Sequence, residues 1–220
     1  MLNWDEIDTV MLDMDGTLLD LYYDNHFWMI HLPQRFAQIK KIERKIAQQQ
    51  VLEHIRAVEG TLQWYCLDYW SDRLGVDVVK LKKEIRCKIK ERPHARELLN
   101  RLGQSKKTIY LVTNSHPAGV AIKMDEIQIE AHFKEIISSH QFGYPKEQLA
   151  FWQSLDQHLS FDRKRTLFID DNLTVLNTAI AFGIKHILGI HQPDSTVHRT
   201  VDQVPAIHHF DEILDGLSHG

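Results

Sequence analysis

The amino-acid sequence predicts an α/β fold, a doubly wound parallel sheet with a helical segment inserted after the first strand. Short apolar, β-branched runs alternate along the chain with longer helical patterns. Most of these runs are apolar at nearly every position, as in strands that are buried on both faces. One long stretch near the N terminus carries helical patterns only. A chain of 220 residues can bury about 70% of its unfolded surface, so its core needs neither disulfides nor a structural metal.

Strands and helices are expected in regular alternation outside that stretch. The predicted strands are residues 9–12, 108–112, 136–137, 166–169 and 186–190. Helices are expected at about residues 94–103, 116–130, 146–159 and 173–182. This alternation is typical of parallel strands whose connecting helices cover both faces of the sheet.

The stretch from residue 21 to residue 92 has no convincing strand pattern. Its helical patterns are broken at Pro33, Gly60 and Gly75. We therefore expect two domains: a core formed by residues 1–20 and 93–220, and a helical domain formed by residues 21–92.

Charge and composition narrow the classes of partner and compartment. The chain has 26 Lys+Arg and 30 Asp+Glu, which gives a net charge of −4. Proteins that bind nucleic acids or anionic membranes usually carry a concentrated positive charge instead. We therefore expect no nucleic-acid and no membrane partner. The acidic first residues and the lack of a long apolar run predict neither a signal peptide nor a membrane span. Two cysteines are too few for a disulfide framework and indicate a reducing cytoplasm.

An acidic motif, Asp13-x-Asp15-Gly16-Thr17, follows the first predicted strand. Side chains two residues apart in a strand point the same way, so both carboxylates face one site. They repel each other unless a cation lies between them or they differ in protonation. Gly16 allows a sharp turn that directs backbone N–H groups toward the same site. Alone, the motif is equally an acidic turn or a helix cap.

Polar residues also follow the other predicted strands. Thr113 and Asn114 end the second strand, where they can bind an anion or cap the next helix. Lys146 is expected in the first turn of a helix, where the helix dipole disfavours a cation unless its ammonium reaches an anionic site. Asp170 and Asp171 end a strongly apolar strand. Acidic clusters at the carboxyl ends of two parallel strands predict a Mg²⁺ site in the crevice there.

These four motifs in this order resemble the haloacid dehalogenase-like hydrolases, and the helical segment resembles the cap of that family. The resemblance covers nearly the whole chain and implies a Rossmann-like core. Three further runs resemble the bacterial GMP/IMP 5′-nucleotidase branch, whose members remove the 5′-phosphate from purine ribonucleotides. These runs are residues 64–71, 142–147 and 166–171.

The resemblance implies a role for each motif residue. Asp13 is the expected nucleophile, and Asp15 the general acid and base. The expected phosphate ligands are Gly16, Thr113, Asn114 and Lys146. The expected Mg²⁺ ligands are Asp13, the Asp15 backbone carbonyl, Asp171, and Asp170 either directly or through water. Some relatives carry another acid at the position of Val175, which leaves these core roles unchanged.

The implied reaction is the Mg²⁺-dependent hydrolysis of purine 5′-monophosphates, IMP or GMP, through an aspartyl-phosphate, by a monomer or dimer. A purine could stack on aromatic residues of the cap, and the candidates are Trp28, Trp64, Tyr65 and Tyr69. Their helical spacing equally predicts packing between cap helices. Three alternatives stay open: a phosphatase or phosphomutase acting on a sugar phosphate or another small phosphomonoester, a phospho-accepting receiver domain, and a non-catalytic binding protein.

Overall fold

The computed structural model describes residues 2–217 and contains a parallel sheet of six strands. The strands are β1 (Thr9–Leu12), β2 (Thr108–Thr113), β3 (Glu135–Ser138), β4 (Thr166–Asp170), β5 (His186–Ile190) and β6 (Ala206–Ile207). Their order across the sheet is β3-β2-β1-β4-β5-β6, and every neighbouring pair is parallel. The predicted fold class is therefore confirmed. The two-residue edge strand β6 was not predicted, because so short a strand carries no readable pattern.

The strand register brings the predicted motifs to one edge of the sheet. Leu12, the last residue of β1, lies opposite Leu111 in β2 and Ile169 in β4. The chain continues the ladder by one residue, since the N–H of Asp13 donates to the Ile169 carbonyl at 2.9 Å. The residues that follow β1, β2 and β4 therefore emerge side by side at the carboxyl edge.

Four helices connect the core strands close to the predicted positions. They are α7 (Ala95–Gly103), α8 (Pro117–Ile127), α9 (Leu149–Leu159) and α10 (Leu173–Phe182), numbered in chain order after the six helices of the preceding segment. The expectation that Lys146 lies in the first turn of a helix is wrong. Because α9 begins only at Leu149, Lys146 lies in the turn before it.

The chain between β1 and β2 is helical over most of its length. Its helices are α1 (Tyr22–His26), α2 (Leu32–Lys40), α3 (Arg44–Val58), α4 (Leu62–Tyr65), α5 (Leu67–Leu74) and α6 (Val78–Lys83). We call residues 22–88 the helical insertion. A wider π-helical turn, Phe27–His31, joins α1 to α2. Gly75 ends α5 in the left-handed region, with φ +60°. None of the helices within residues 2–217 has both the length and the apolar character needed to cross a membrane.

Side-chain alternation along β1 divides the core into two layers. Val10 and Leu12 pack on the face of the sheet that also contacts the helical insertion, α7 and α8. Met11 points the other way, into a layer formed with α9 and α10. Because both faces are covered, all four residues of β1 are buried. The sheet thus provides a rigid base for the polar residues at its carboxyl edge.

Candidate active site

A cavity of about 480 Å³ lies between the carboxyl edge of the sheet and the helical insertion. The core contributes charged and polar side chains, which include Asp13, Asp15, Thr113, Asn114, Lys146, Asp170 and Asp171. The helical insertion contributes aromatic side chains, among them Trp28, Trp64 and Tyr65, together with the charged Asp24 and Lys82. The cavity therefore offers both charged groups and aromatic side chains to a ligand.

Lys146 is buried between two of the predicted acidic residues. Its ammonium donates to Asp13 Oδ1 at 2.5 Å, to Asp170 Oδ2 at 2.6 Å and to the Val112 carbonyl at 3.0 Å. The three charged side chains are at most 7% exposed. Three donated hydrogen bonds use every proton of the ammonium, so the geometry holds Lys146 in one position.

Burial and mutual repulsion shift the titration of the acidic residues. Burial raises the pKa of Asp13 to about 7, although Lys146 opposes the shift and Asp170 adds to it. Burial likewise raises the pKa of Asp170 and of Asp171. Burial would lower the pKa of Lys146, but Asp13 and Asp170 outweigh it, so this pKa is raised. Three carboxyl groups beside one ammonium leave an excess of negative charge.

This excess of negative charge fits a divalent cation. Asp13, Asp170 and Asp171 each direct a carboxylate oxygen to a common point, with the oxygens within 4.8 Å of one another. Mg²⁺ prefers such a set of hard oxygen ligands. Gly16 approaches the same point with φ +82°, and a Cβ there would lie 2.7 Å from Asp171 Cγ. Glycine is needed at this position because any side chain would displace the Asp171 carboxylate.

The predicted phosphate-binding residues of β2 are already ordered by hydrogen bonds. Asn114 Oδ1 accepts from the backbone N–H of Lys146 at 2.9 Å, and Asn114 Nδ2 donates to Glu147 Oε2 at 2.9 Å. Thr113 Oγ1 accepts from the N–H of Ser115 at 3.0 Å. The structure thus brings Thr113, Asn114 and Lys146 together. Gly16 lies next to Asp171, with its own N–H donated to the Leu19 carbonyl at 2.8 Å.

Asp15 begins a row of alternating charges that leads into the helical insertion. Lys123, on α8, donates to Asp15 Oδ1 at 2.5 Å and to Asp24 Oδ2 at 2.7 Å. Lys82 then donates to Asp24 Oδ1 at 2.8 Å. We call Asp15, Lys123, Asp24 and Lys82 the charge row. Burial raises the pKa of Asp15 to about 6, against the opposing effect of Lys123.

The aromatic candidates divide into those that face the cavity and one that does not. Trp28, Trp64 and Tyr65 line the cavity. The hydroxyl of Tyr65 also donates to Glu147 Oε1 at 2.6 Å, which joins the helical insertion to the turn that carries Lys146. Tyr69 is not among the lining residues, and its ring packs edge-on against the buried Trp70. The structure therefore brings three of the four candidates to the site.

Sequence reasoning missed three charged residues that line the cavity, Asp24, Lys82 and Arg199, and two that bond to lining residues, Lys123 and Glu147. One of them left a readable signal. Lys123 interrupts an apolar stretch of α8 and is 1% exposed, and a lysine in such a stretch is rarely buried unless it is paired. The other four lie in segments of mixed polarity, where the sequence pattern does not distinguish a charged residue at the site from one on the solvent-exposed surface.

Comparison with known proteins identifies the family. A model of the haloacid dehalogenase-like hydrolases matches residues 10–188, and the chain belongs to this family. It is 36% identical over 215 residues to the GMP/IMP nucleotidase YrfG of Escherichia coli (strain K12), with 97% of each chain covered. The protein of the same name from Shigella flexneri matches equally well. The resemblance predicted from the motifs, to this family and its GMP/IMP nucleotidase branch, is confirmed.

Solved structures support the fold at lower sequence identity. A phosphatase of the family from Thermococcus onnurineus superposes with a TM-score of 0.80 at 15% identity, over 97% of this chain and 99% of that chain. The hydrolase YfnB from Bacillus subtilis, determined with bound magnesium, gives a TM-score of 0.68 at 19% identity, over 96% of this chain and 99% of that chain. Together with the nucleotidase relatives, the family match confirms the predicted enzyme class: the chain is a phosphoric monoester hydrolase.

Proposed function

We propose that this hydrolase is a Mg²⁺-dependent 5′-nucleotidase that acts on the purine monophosphates IMP and GMP. The proposal depends on one observation: Asp13, Asp15 and Lys146 line the same cavity as two tryptophans of the helical insertion. The identity to the GMP/IMP nucleotidases supports the same substrate class. We further propose that residues 21–92 act as the cap domain on a core of residues 1–20 and 93–220, and that the enzyme works in the cytoplasm.

In the proposed reaction, an Asp13 carboxylate oxygen attacks phosphorus and the bond to the nucleoside oxygen breaks. The product is an aspartyl-phosphate, which water then hydrolyses. The Thr113 hydroxyl and the Asn114 amide donate to the phosphoryl oxygens, and the nearby ammonium charge of Lys146 offsets the negative charge that develops on them. The residues that would hold Mg²⁺ are Asp13, the Asp15 carbonyl, Asp171 and Asp170. When bound, the ion offsets negative charge and orients the phosphoryl group.

Asp15 is the proposed proton donor to the leaving nucleoside oxygen and later the base for the attacking water. Its carboxyl is 21% exposed at the cavity, and burial raises its pKa to about 6, which makes proton uptake accessible near neutral pH. Lys123 holds the carboxyl in place through the 2.5 Å hydrogen bond to Oδ1. The other oxygen is then available to the substrate.

Trp28 and Trp64 are the proposed purine contacts. Both line the cavity from the side of the helical insertion. The faces of a purine are flat and apolar, and stacking on an aromatic side chain contributes about 1–3 kcal/mol per base in nucleic-acid complexes. Tyr65 borders the same wall, but its hydroxyl is already bonded to Glu147. Its proposed role is therefore to shape the cavity.

The first test is phosphate release from a panel of nucleoside monophosphates and sugar phosphates, each with Mg²⁺ and with EDTA. We expect the highest kcat/KM with IMP and GMP, and at least about a 100-fold loss in EDTA, because the carboxylate cluster then lacks a counter-ion. Asp13→Asn is the control for contaminating phosphatases. Turnover only on sugar phosphates would contradict the nucleotide proposal. Return of the phosphoryl group to a sugar phosphate would indicate a mutase.

Asp15→Asn should affect substrates according to their leaving groups. We expect kcat/KM for IMP to fall about 10²–10⁴-fold, since the ribose oxygen needs a proton as it departs. The loss should be much smaller for p-nitrophenyl phosphate, whose phenolate leaves unprotonated. Initial rates on both substrates measure the difference, with the exposed Asp202→Asn as the matched control. Equal losses on the two substrates would mean that Asp15 is not the proton donor.

A further inference from the structure

A second group of metal-ligating side chains lies outside the acidic cluster. Cys66, His116 and His140 each direct a ligand atom to a common point, and the three atoms lie within 4.8 Å of one another. Cys66 lies between α4 and α5 in the helical insertion, whereas His116 precedes α8 and His140 lies in a 3₁₀ turn after β3. All three residues are partly buried.

The hydrogen bonds around these side chains leave ligand atoms available. His116 Nδ1 accepts from the N–H of Ala118 at 3.3 Å, which leaves Nε2 for another partner. His140 Nε2 is buried and has no hydrogen-bond partner among the described residues. A buried polar atom without a partner is normally costly. A bound metal ion would give this nitrogen a partner.

We propose that Cys66, His116 and His140 form a binding site for a transition-metal ion of the Zn²⁺ class. A thiolate and two imidazoles are borderline-soft ligands that favour Zn²⁺ and disfavour Mg²⁺. Tetrahedral Zn²⁺ holds its ligand atoms about 3.5 Å apart, so side-chain movements of about 1 Å complete the site. Asp68 is the candidate fourth ligand, since its Oδ2 is 3.5 Å from His116 Nε2 and its side chain is 77% exposed.

The position of this site gives it a mechanical consequence. Cys66 directly follows Tyr65, which lines the cavity and donates a hydrogen bond to Glu147. His116 lies two residues after Asn114, the predicted phosphate-binding residue, which also lines the cavity. A bound ion therefore ties the helical insertion to the loops at the carboxyl edge of the sheet. The tie holds the insertion closed over the cavity and restricts its opening. Metal binding itself does not depend on the proposed nucleotide reaction.

Cobalt titration tests the site through a spectroscopic signal that only a thiolate ligand provides. The protein is titrated with Co²⁺ in excess Mg²⁺, and the thiolate-to-cobalt charge-transfer absorption is followed, then displaced with Zn²⁺. We expect one equivalent of Co²⁺ and complete loss of the band in Cys66→Ser. His140→Gln should weaken binding at least about 100-fold, because a removed ligand costs at least as much as a removed supporting group.

Two matched variants distinguish this site from metal binding at the exposed cysteine or at the acidic cluster. Cys87→Ser removes the exposed cysteine, and Asp171→Asn alters the acidic cluster; both should keep the band and the stoichiometry. Absence of the band in the wild-type protein, its loss in Cys87→Ser, or its persistence in Cys66→Ser would overturn the site. Thermal unfolding without metal checks that Cys66→Ser is folded.

Limited proteolysis tests whether the bound ion restrains the helical insertion. Zn²⁺ should slow cleavage within residues 22–88 of the wild-type protein at least about threefold and leave the cleavage of Cys66→Ser unchanged. If Zn²⁺ binds but cleavage of the wild-type insertion is not slowed, the mechanical role is wrong.

Discussion

Replacement of Asp13 by asparagine is expected to lower phosphate release by at least about 10⁴-fold, because the amide cannot attack phosphorus and loss of a covalent nucleophile has effects of this size or larger. The measurement is the initial rate on the best substrate of the panel at saturating Mg²⁺. Wild-type enzyme quenched in acid during turnover of a phosphate-labelled substrate should also carry covalently bound label, up to one equivalent, and Asp13→Asn should carry none.

The fold should survive this substitution. Lys146 keeps its hydrogen bonds to Asp170 Oδ2 and to the Val112 carbonyl. The pKa of Asp13 is raised to about 7 by burial, so the neutral amide resembles a form that the folded protein already accommodates. Thermal unfolding should therefore change little relative to Asp202→Asn. Activity within tenfold of wild type in a folded Asp13→Asn protein would exclude Asp13 as the nucleophile.

Replacement of Lys146 by methionine should damage both activity and stability. The substitution keeps the length of the side chain but leaves the buried carboxyl groups of Asp13 and Asp170 without the cation that bonds to both. Removing one partner of a buried ion pair typically costs about 3–5 kcal/mol. We expect a loss of this size in the free energy of unfolding in EDTA, measured by urea denaturation, and at least about a 10³-fold loss of kcat. The exposed Lys106→Met is the matched control.

The raised pKa of Asp13 also determines how the free energy of unfolding in EDTA should change with pH. The pKa of Asp13 in the folded protein is raised above its usual value of 3.8, to about 7. The folded protein therefore holds a proton that the unfolded chain releases, so stability in EDTA should decline as the pH rises from about 4 to 7. Lys146→Met should decline more steeply, and Mg²⁺ should reduce the decline in both proteins. A variant that is as stable as wild type at pH 8 in EDTA would contradict the role of Lys146 as counter-ion.

The sequence was sufficient to predict five of the six strands and the polar residues at the carboxyl ends of β1, β2 and β4. Buried parallel strands have a strong apolar pattern, and their register places Asp13, Thr113 and Asp170 together once the sheet is assumed. The start of α9 was predicted about three residues early, because Pro145 is a common first residue of a helix and the turn containing Lys146 resembles one.

Contacts between distant segments could not be predicted. Lys123 meets Asp15 across 108 residues of sequence and Asp24 across 99, and no local pattern encodes such a pairing. The aromatic candidates show the same limit. Trp64, Tyr65, Tyr69 and Trp70 all fit helical spacing, but only the packed structure distinguishes the cavity-facing Trp64 and Tyr65 from the buried Trp70.

The charge row restricts how this sequence can diverge. Lys123 and Lys82 are at most 4% exposed, and Asp24 lies between them with 17% of its side chain exposed. Replacement of one member by a neutral residue leaves a buried charge without its partner, which lowers the free energy of unfolding by about 3–5 kcal/mol. A typical domain has a total free energy of unfolding of only about 5–15 kcal/mol. A substitution at Lys123, Asp24 or Lys82 is therefore expected to be tolerated best when the bonded partner of opposite charge is replaced with it. The residues allowed on α8 thus depend on those of the first helix of the insertion.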